Sequence, residues 1–181
     1  MNIMKKFHSD FYRMTEHKWS INPKNMVKLL LHHNLRYMYF WRKYEKSHSV
    51  FVRFILHRYA KKYGLEISTQ AVIGEGLYLG HPYNITVANG VKIGKNVNLH
   101  KGCTIGRENR GSRIGVPHIG NRVFIGINST VVGNVIIGDD VLIAPNSFVN
   151  FDVPPNSVVI GNPAKIYKKE NATDSYVCHL I

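Results

Sequence analysis

The residue in this chain best placed to move a proton is His81, which falls two residues after Leu79 in the run Leu79-Gly80-His81 and fifteen residues after Glu66. An imidazole titrates near neutrality, so a held histidine can take the proton of a hydroxyl as that hydroxyl attacks an electrophile. A carboxylate bonded to the far ring nitrogen would fix the tautomer and steady the imidazolium formed in the transition state. Taken alone, the two residues read equally as an exposed turn histidine and a surface acid. The chain has ten histidines, none in an i, i+4 pair with an acidic partner, and no metal is expected.

Composition narrows the setting. Among 181 residues, 44% hydrophobic, no stretch approaches the roughly 18 uninterrupted apolar residues of a membrane span. The most apolar window, Met26 to Trp41, carries Lys28, His32, His33 and Arg36 and reads as a soluble helix. No apolar run of secretory length follows Lys5-Lys6, and Cys103 and Cys178 lack CxxC spacing, so free thiols in the cytoplasm are expected. Residues 1–64 hold 14 Lys and Arg against 3 acids, whereas residues 65–181 hold 10 against 8. Such a basic segment can meet nucleic acid, an anionic membrane or a polyanionic intermediate. No nucleic-acid motif accompanies it, so it is read as a solvated helical face.

A six-residue repeat must position His81. Every sixth residue gives Ile67, Ile73, Leu79 and Ile85, and after a two-residue slip Val87, Ile93, Leu99 and Ile105. After an insertion the series resumes as Ile119, Ile125, Val131, Ile137, Ile143 and Val149. Small or β-branched residues such as Val91, Val97, Cys103, Val123, Ser129, Val135, Val141 and Ser147 stand four places further on. A period of six fits neither a helix nor an alternating strand, but it fits a solenoid in which three hexads close one triangular coil. Residues 67–163 then give about five coils, with a loop extruded between Gly106 and Ile119. Glycine follows seven of the aliphatics, and the turn's need for unusual backbone angles is the expected reason.

Upstream, Asn22-Pro23 opens a helical pattern through Tyr63 that includes Met26, Leu29, Leu30, Phe51, Phe54 and Ile55, and Gly64 sits where a helix C′ residue is expected. The organisation expected is a basic cap of about three helices at 1–64, closing the open end of a solenoid at 65–166, and a tail at 167–181.

From Glu66 to Lys165 the chain resembles the hexapeptide acyltransferases, and bacterial serine acetyltransferases in particular. The resemblance rests on the fifteen-residue spacing from Glu66 to His81, the twelve-residue loop Arg107 to His118, and the closing Pro154-Pro155 and Gly161-Asn162-Pro163-Ala164-Lys165-Ile166. It implies a left-handed parallel β-helix, acetyl transfer from acetyl-CoA to a hydroxyl, His81 as general base and Glu66 as its orienting acid. It also implies a homotrimer with a CoA groove between subunits, where Ile127, Pro145 and Lys165 match the family's positions.

The chain departs from that family at two places. Gly80 stands where an acid precedes the catalytic histidine, and Gly115-Val116 where an Arg-His pair precedes the loop proline. Both family features hold the charged groups of serine, so a saccharide acceptor is favoured here. Tyr83, Asn84 and Asn109 at one mouth, with Arg110 and Arg113 of the loop, are the expected acceptor contacts. The alternatives are a genuine serine acetyltransferase and a non-catalytic hexapeptide scaffold.

Overall fold

The computed structural model describes residues 3–181. Four helices come first: α1 (Ile3–Thr15), α2 (Pro23–Leu31), α3 (His33–Ser47) and α4 (Val50–Tyr63). That is one more than the repeat of apolar residues predicts. The additional helix, α1, precedes the Asn22-Pro23 turn and is held by Phe7 and Phe11, one helical turn apart and fully buried. Asn22 caps α2 as its position predicts, its side chain accepting from Asn25 N at 2.8 Å with Pro23 in the first turn. Gly64 ends α4 in the left-handed region at φ +65.

The solenoid follows in five coils. The first holds β1 (Leu65–Ile67), β2 (Val72–Ile73) and β3 (Tyr78–Gly80), and the second β4 (Ile85–Val87), β5 (Lys92–Ile93) and β6 (Asn98–His100). The third holds β7 (Thr104–Gly106), β8 (His118–Ile119) and β9 (Phe124–Ile125), and the fourth β10 (Thr130–Val132), β11 (Ile136–Ile137) and β12 (Val141–Ile143). The fifth holds β13 (Phe148–Val149), a bridge at Val153 and β14 (Ser157–Gly161), after which β15 (Ala164–Lys168) turns back antiparallel. Strands of successive coils stack in parallel register to make three faces, β1-β4-β7-β10-β13, β2-β5-β8-β11 and β3-β6-β9-β12-β14-β15. The coil is a left-handed parallel β-helix, as expected.

All fourteen aliphatic positions of the repeat are buried, as are the eight small positions named with them. They form one core with the cap, whose contribution is Phe7, Phe11, Leu35, Tyr37, Met38, Trp41 and Leu56. Several apolar residues that mark the helical pattern point the other way. Leu30 is 66%, Phe51 71% and Phe54 56% exposed.

Six of the seven glycines after the aliphatics, all but Gly106, have a different cause from the one the sequence predicts. None of the seven adopts a positive φ. A Cβ on Gly74 would lie 2.6 Å from Gly94 O, and one on Gly94 2.6 Å from Gly120 O. Close approach of the next coil excludes a side chain there. The left-handed angles fall on corner residues instead, including Asn84, Gly102, Asn128 and Asn146.

Candidate active site

His81 lies in the turn that carries the chain from β3 on the third face to β4 on the first. This corner also absorbs the two-residue slip of the repeat, since Leu79 and Val87 are inward residues of successive faces separated by eight residues rather than six. The added length throws His81 outward, where it is exposed and adopts φ +48. A non-glycine residue held in the left-handed region at a bulged corner marks a place where geometry has been retained at some cost.

The cap props this turn. His33 of α3 donates from Nε2 to Pro82 O at 3.1 Å and stacks on Tyr63 of α4 at 4.2 Å between ring centroids. Asn84 N donates to Tyr63 O at 2.9 Å, and the Tyr83 ring sits 5.1 Å from that of His33. Burial lowers the pKa of His33, which favours the neutral ring that makes this bond. Nothing in the spacing of His33 distinguishes it from its neighbour His32. Only the packing of α3 on the turn reveals its part.

Below His81 the same corner recurs in every coil. Lys101 N bonds Gly80 O at 3.0 Å, Gly102 N bonds Tyr83 O at 2.9 Å, Asn128 N bonds Lys101 O at 2.9 Å and Asn146 N bonds Ile127 O at 2.9 Å. His81, Tyr83, Asn84, Ile127 and Pro145 therefore share one edge of the prism. Lys165 comes four residues after Gly161, whose N bonds Ser147 Oγ at 3.1 Å at the end of that edge. Ile127 and Pro145 are exposed apolar surface, and Lys165 is an exposed cation.

Glu66 stands on β1 opposite Thr86 of β4, on the first face beside that edge. Its side chain is exposed, and among the described residues no hydrogen bond joins it to His81. The loop residues are placed elsewhere. Asn109, Arg110 and Arg113 belong to the segment that leaves β7 on the first face and enters β8 on the second, so they project from a different edge. Within one chain they do not share a mouth with Tyr83 and Asn84, contrary to the sequence expectation. A loop that replaces one sharp corner must extrude at that corner.

One residue at the site escapes the sequence reading altogether. His100 of β6 pairs in register with Gly80, and its ring occupies the space above that glycine. A Cβ on Gly80 would lie 2.5 Å from both Cε1 and Nδ1 of His100. The ring packs on Phe124 at 4.5 Å, and burial followed by the charge of His81 lowers its pKa. A separation of twenty residues, one long coil, is the only trace this pair leaves in the sequence.

The bacterial transferase hexapeptide (six repeats) matches residues 117–150. Serine acetyltransferase of Helicobacter pylori is 35% identical over 107 residues, covering 59% of this chain and 63% of the relative. Serine acetyltransferase of Staphylococcus aureus is 37% identical over 109 residues, covering 59% and 50%. Among solved structures, Neisseria gonorrhoeae serine acetyltransferase superposes with a TM-score of 0.74 at 26% identity, over 97% of this chain and 70% of that one. The same enzyme in complex with serine gives 0.71 at 28%, over 91% and 69%. The chain thus spans less than two thirds of the length of these curated relatives. Its repeat is the transferase hexapeptide, and its likeness is to serine acetyltransferases.

Proposed function

We propose that the chain is a cytoplasmic, acetyl-CoA-dependent O-acetyltransferase in which His81 is the general base. The observation that carries this reading is the single edge on which the bulged His81 turn and the exposed Ile127, Pro145 and Lys165 fall together. Exposed apolar groups beside a terminal cation suit the pantetheine arm and phosphates of CoA. In the reaction His81 takes the proton of the acceptor hydroxyl as its oxygen attacks the thioester carbonyl carbon. The tetrahedral adduct then expels the CoA thiolate, which recovers the proton from the imidazolium. Glu66 is the orienting acid, engaging His81 when the site is assembled.

L-serine is the acceptor proposed first, because the relatives and solved neighbours are serine acetyltransferases. They do not support the saccharide that the sequence alone favours. That second reading is kept for one reason, the uncharged lining left by Gly80, Gly115 and Val116. A free amino acid presents two charges, and burying them unpaired is costly. The proposed assembly is a homotrimer, supported by the separation of the loop arginines from His81 within one chain and by the exposed apolar residues of the cap. The test is thiol release from acetyl-CoA with L-serine and a panel of saccharides. Turnover of L-serine supports the first reading, turnover of a sugar alone the second, and no release with any acceptor a scaffold.

A further inference from the structure

Among the described residues no hydrogen bond engages either ring nitrogen of His100, and Nε2 is buried without a partner. A buried polar atom left unpaired in a well-packed protein calls for an explanation. This one lies across Gly80 from the general base. It is fixed between Gly80 and Phe124, with the Tyr78 ring at 6.0 Å, and it lines a cavity of about 450 Å³ bounded by Tyr78, Phe124, Arg13 of α1, Glu16 just beyond that helix, and Tyr176 of the tail. The ring also dictates its neighbour. With the His100 ring where it stands, a side chain at position 80 would have to displace it, so the acid that precedes the histidine in the resembling family and this ring compete for one space.

We infer that His100 is the acceptor-positioning residue of this site, bonding the amino or hydroxyl group carried on the carbon next to the one that bears the reacting hydroxyl. The inference rests on His81 being the base. An uncharged imidazole has one donor and one acceptor nitrogen, so it can meet either an amine or an alcohol. L-serine and a sugar with vicinal hydroxyls share that arrangement. Both then present one group to His81 and the adjacent one to His100.

The experiment compares the full-length protein with His100→Leu and His100→Asn, using L-serine against 3-hydroxypropionate, and methyl galactoside against a deoxy analogue lacking the adjacent hydroxyl. Wild type is expected to prefer whichever probe keeps the neighbouring group. H100L should lose about tenfold in kcat/KM for that probe, lose the discrimination, and keep its KM for acetyl-CoA, while H100N recovers part of the loss. The serine and sugar arms identify the source of the group. In parallel, the imidazole nitrogen resonances of His100 are followed as each probe is added to wild type, and they should shift. Unchanged discrimination in H100L, an equal rise in KM for acetyl-CoA, or resonances that stay still at saturating probe overturns the assignment. Wild type that turns over neither probe sinks the enzymatic reading instead, and the resonance titration then decides His100 by itself.

Discussion

The Asp10 carboxylate of α1 and the Arg42 guanidinium of α3 form a buried ion pair, Nε to Oδ2 at 2.8 Å and Nη2 to Oδ1 at 3.2 Å, and both partners also hold the first coil. Leu77 N donates to Asp10 at 2.8 Å, and Arg42 donates to Ile73 O at 2.9 Å and Gly74 O at 2.6 Å. Burial pushes the Asp10 carboxyl up while Arg42 pulls it down. The cap is therefore bonded to the coil it covers, and the His81 turn inherits its position from that joint.

Removing one partner of this pair strands the other charge. Asp10→Asn or Arg42→Met should each cost about 3–5 kcal/mol in urea unfolding, and the double change Asp10→Leu with Arg42→Met should cost less than either. Single variants within about 1 kcal/mol of wild type would show that the joint is not held by the pair.

His81→Ala should lower kcat by roughly 10²–10⁴ with an unchanged circular dichroism spectrum. Glu66→Gln should cost less, because an orienting acid does not carry the proton. An H81A rate above a third of wild type removes His81 from the base role.

The His33 bond to Pro82 is worth about 1 kcal/mol, so His33→Phe, which keeps the stack on Tyr63, should lower the unfolding free energy by about that much and kcat about fivefold. If kcat stays at the wild-type value, the turn is held well enough without it.

The tail responds to acid through Asp140. Burial disfavours its charge, but bonds from Thr173 Oγ1 at 2.6 Å, Ala172 N at 2.9 Å and Arg122 at 3.0 Å outweigh that and hold its pKa below the ordinary value. A depressed carboxyl stabilises the folded form above the ordinary value of 3.8 and loses that contribution as pH falls further and Asp140 takes a proton. Limited proteolysis at residues 170–181 should therefore stay slow at neutral pH and rise below about pH 4, and Asp140→Asn should cleave rapidly throughout. A pH-independent rate in wild type would exclude this anchor.

Sedimentation should give three times the 20.7 kDa chain mass. Mixing inactive His81→Ala copies with inactive Arg113→Ala copies should restore partial activity, since each mixed interface can combine one sound turn with one sound loop. A fully active monomer contradicts this arrangement.

The solenoid could be read from Ile67 to Val149 because one hexad period governs which side chains go inward, and burial follows it without exception. His81 stands out for another reason, its place two residues after Leu79 and fifteen after Glu66, the spacing that carries the family resemblance. His100 does not, because its meaning lies in pairing with Gly80 one coil away, and coil length is set only when the chain stacks. The edge from which Asn109, Arg110 and Arg113 project is hidden on the same account. Linear spacing says that a loop leaves the repeat but not from which of three corners.

The antiparallel return of β15 along β14 has a consequence for how the protein behaves at high concentration. A parallel coil ends in a row of unpaired amides and carbonyls that another copy could extend indefinitely. On the third face that end is covered by a strand running the wrong way to template a further coil, with exposed Lys165 and Lys168 along it. Like charges on such an edge discourage end-to-end growth into fibres. A chain cut after Gly161 should be the one that gels.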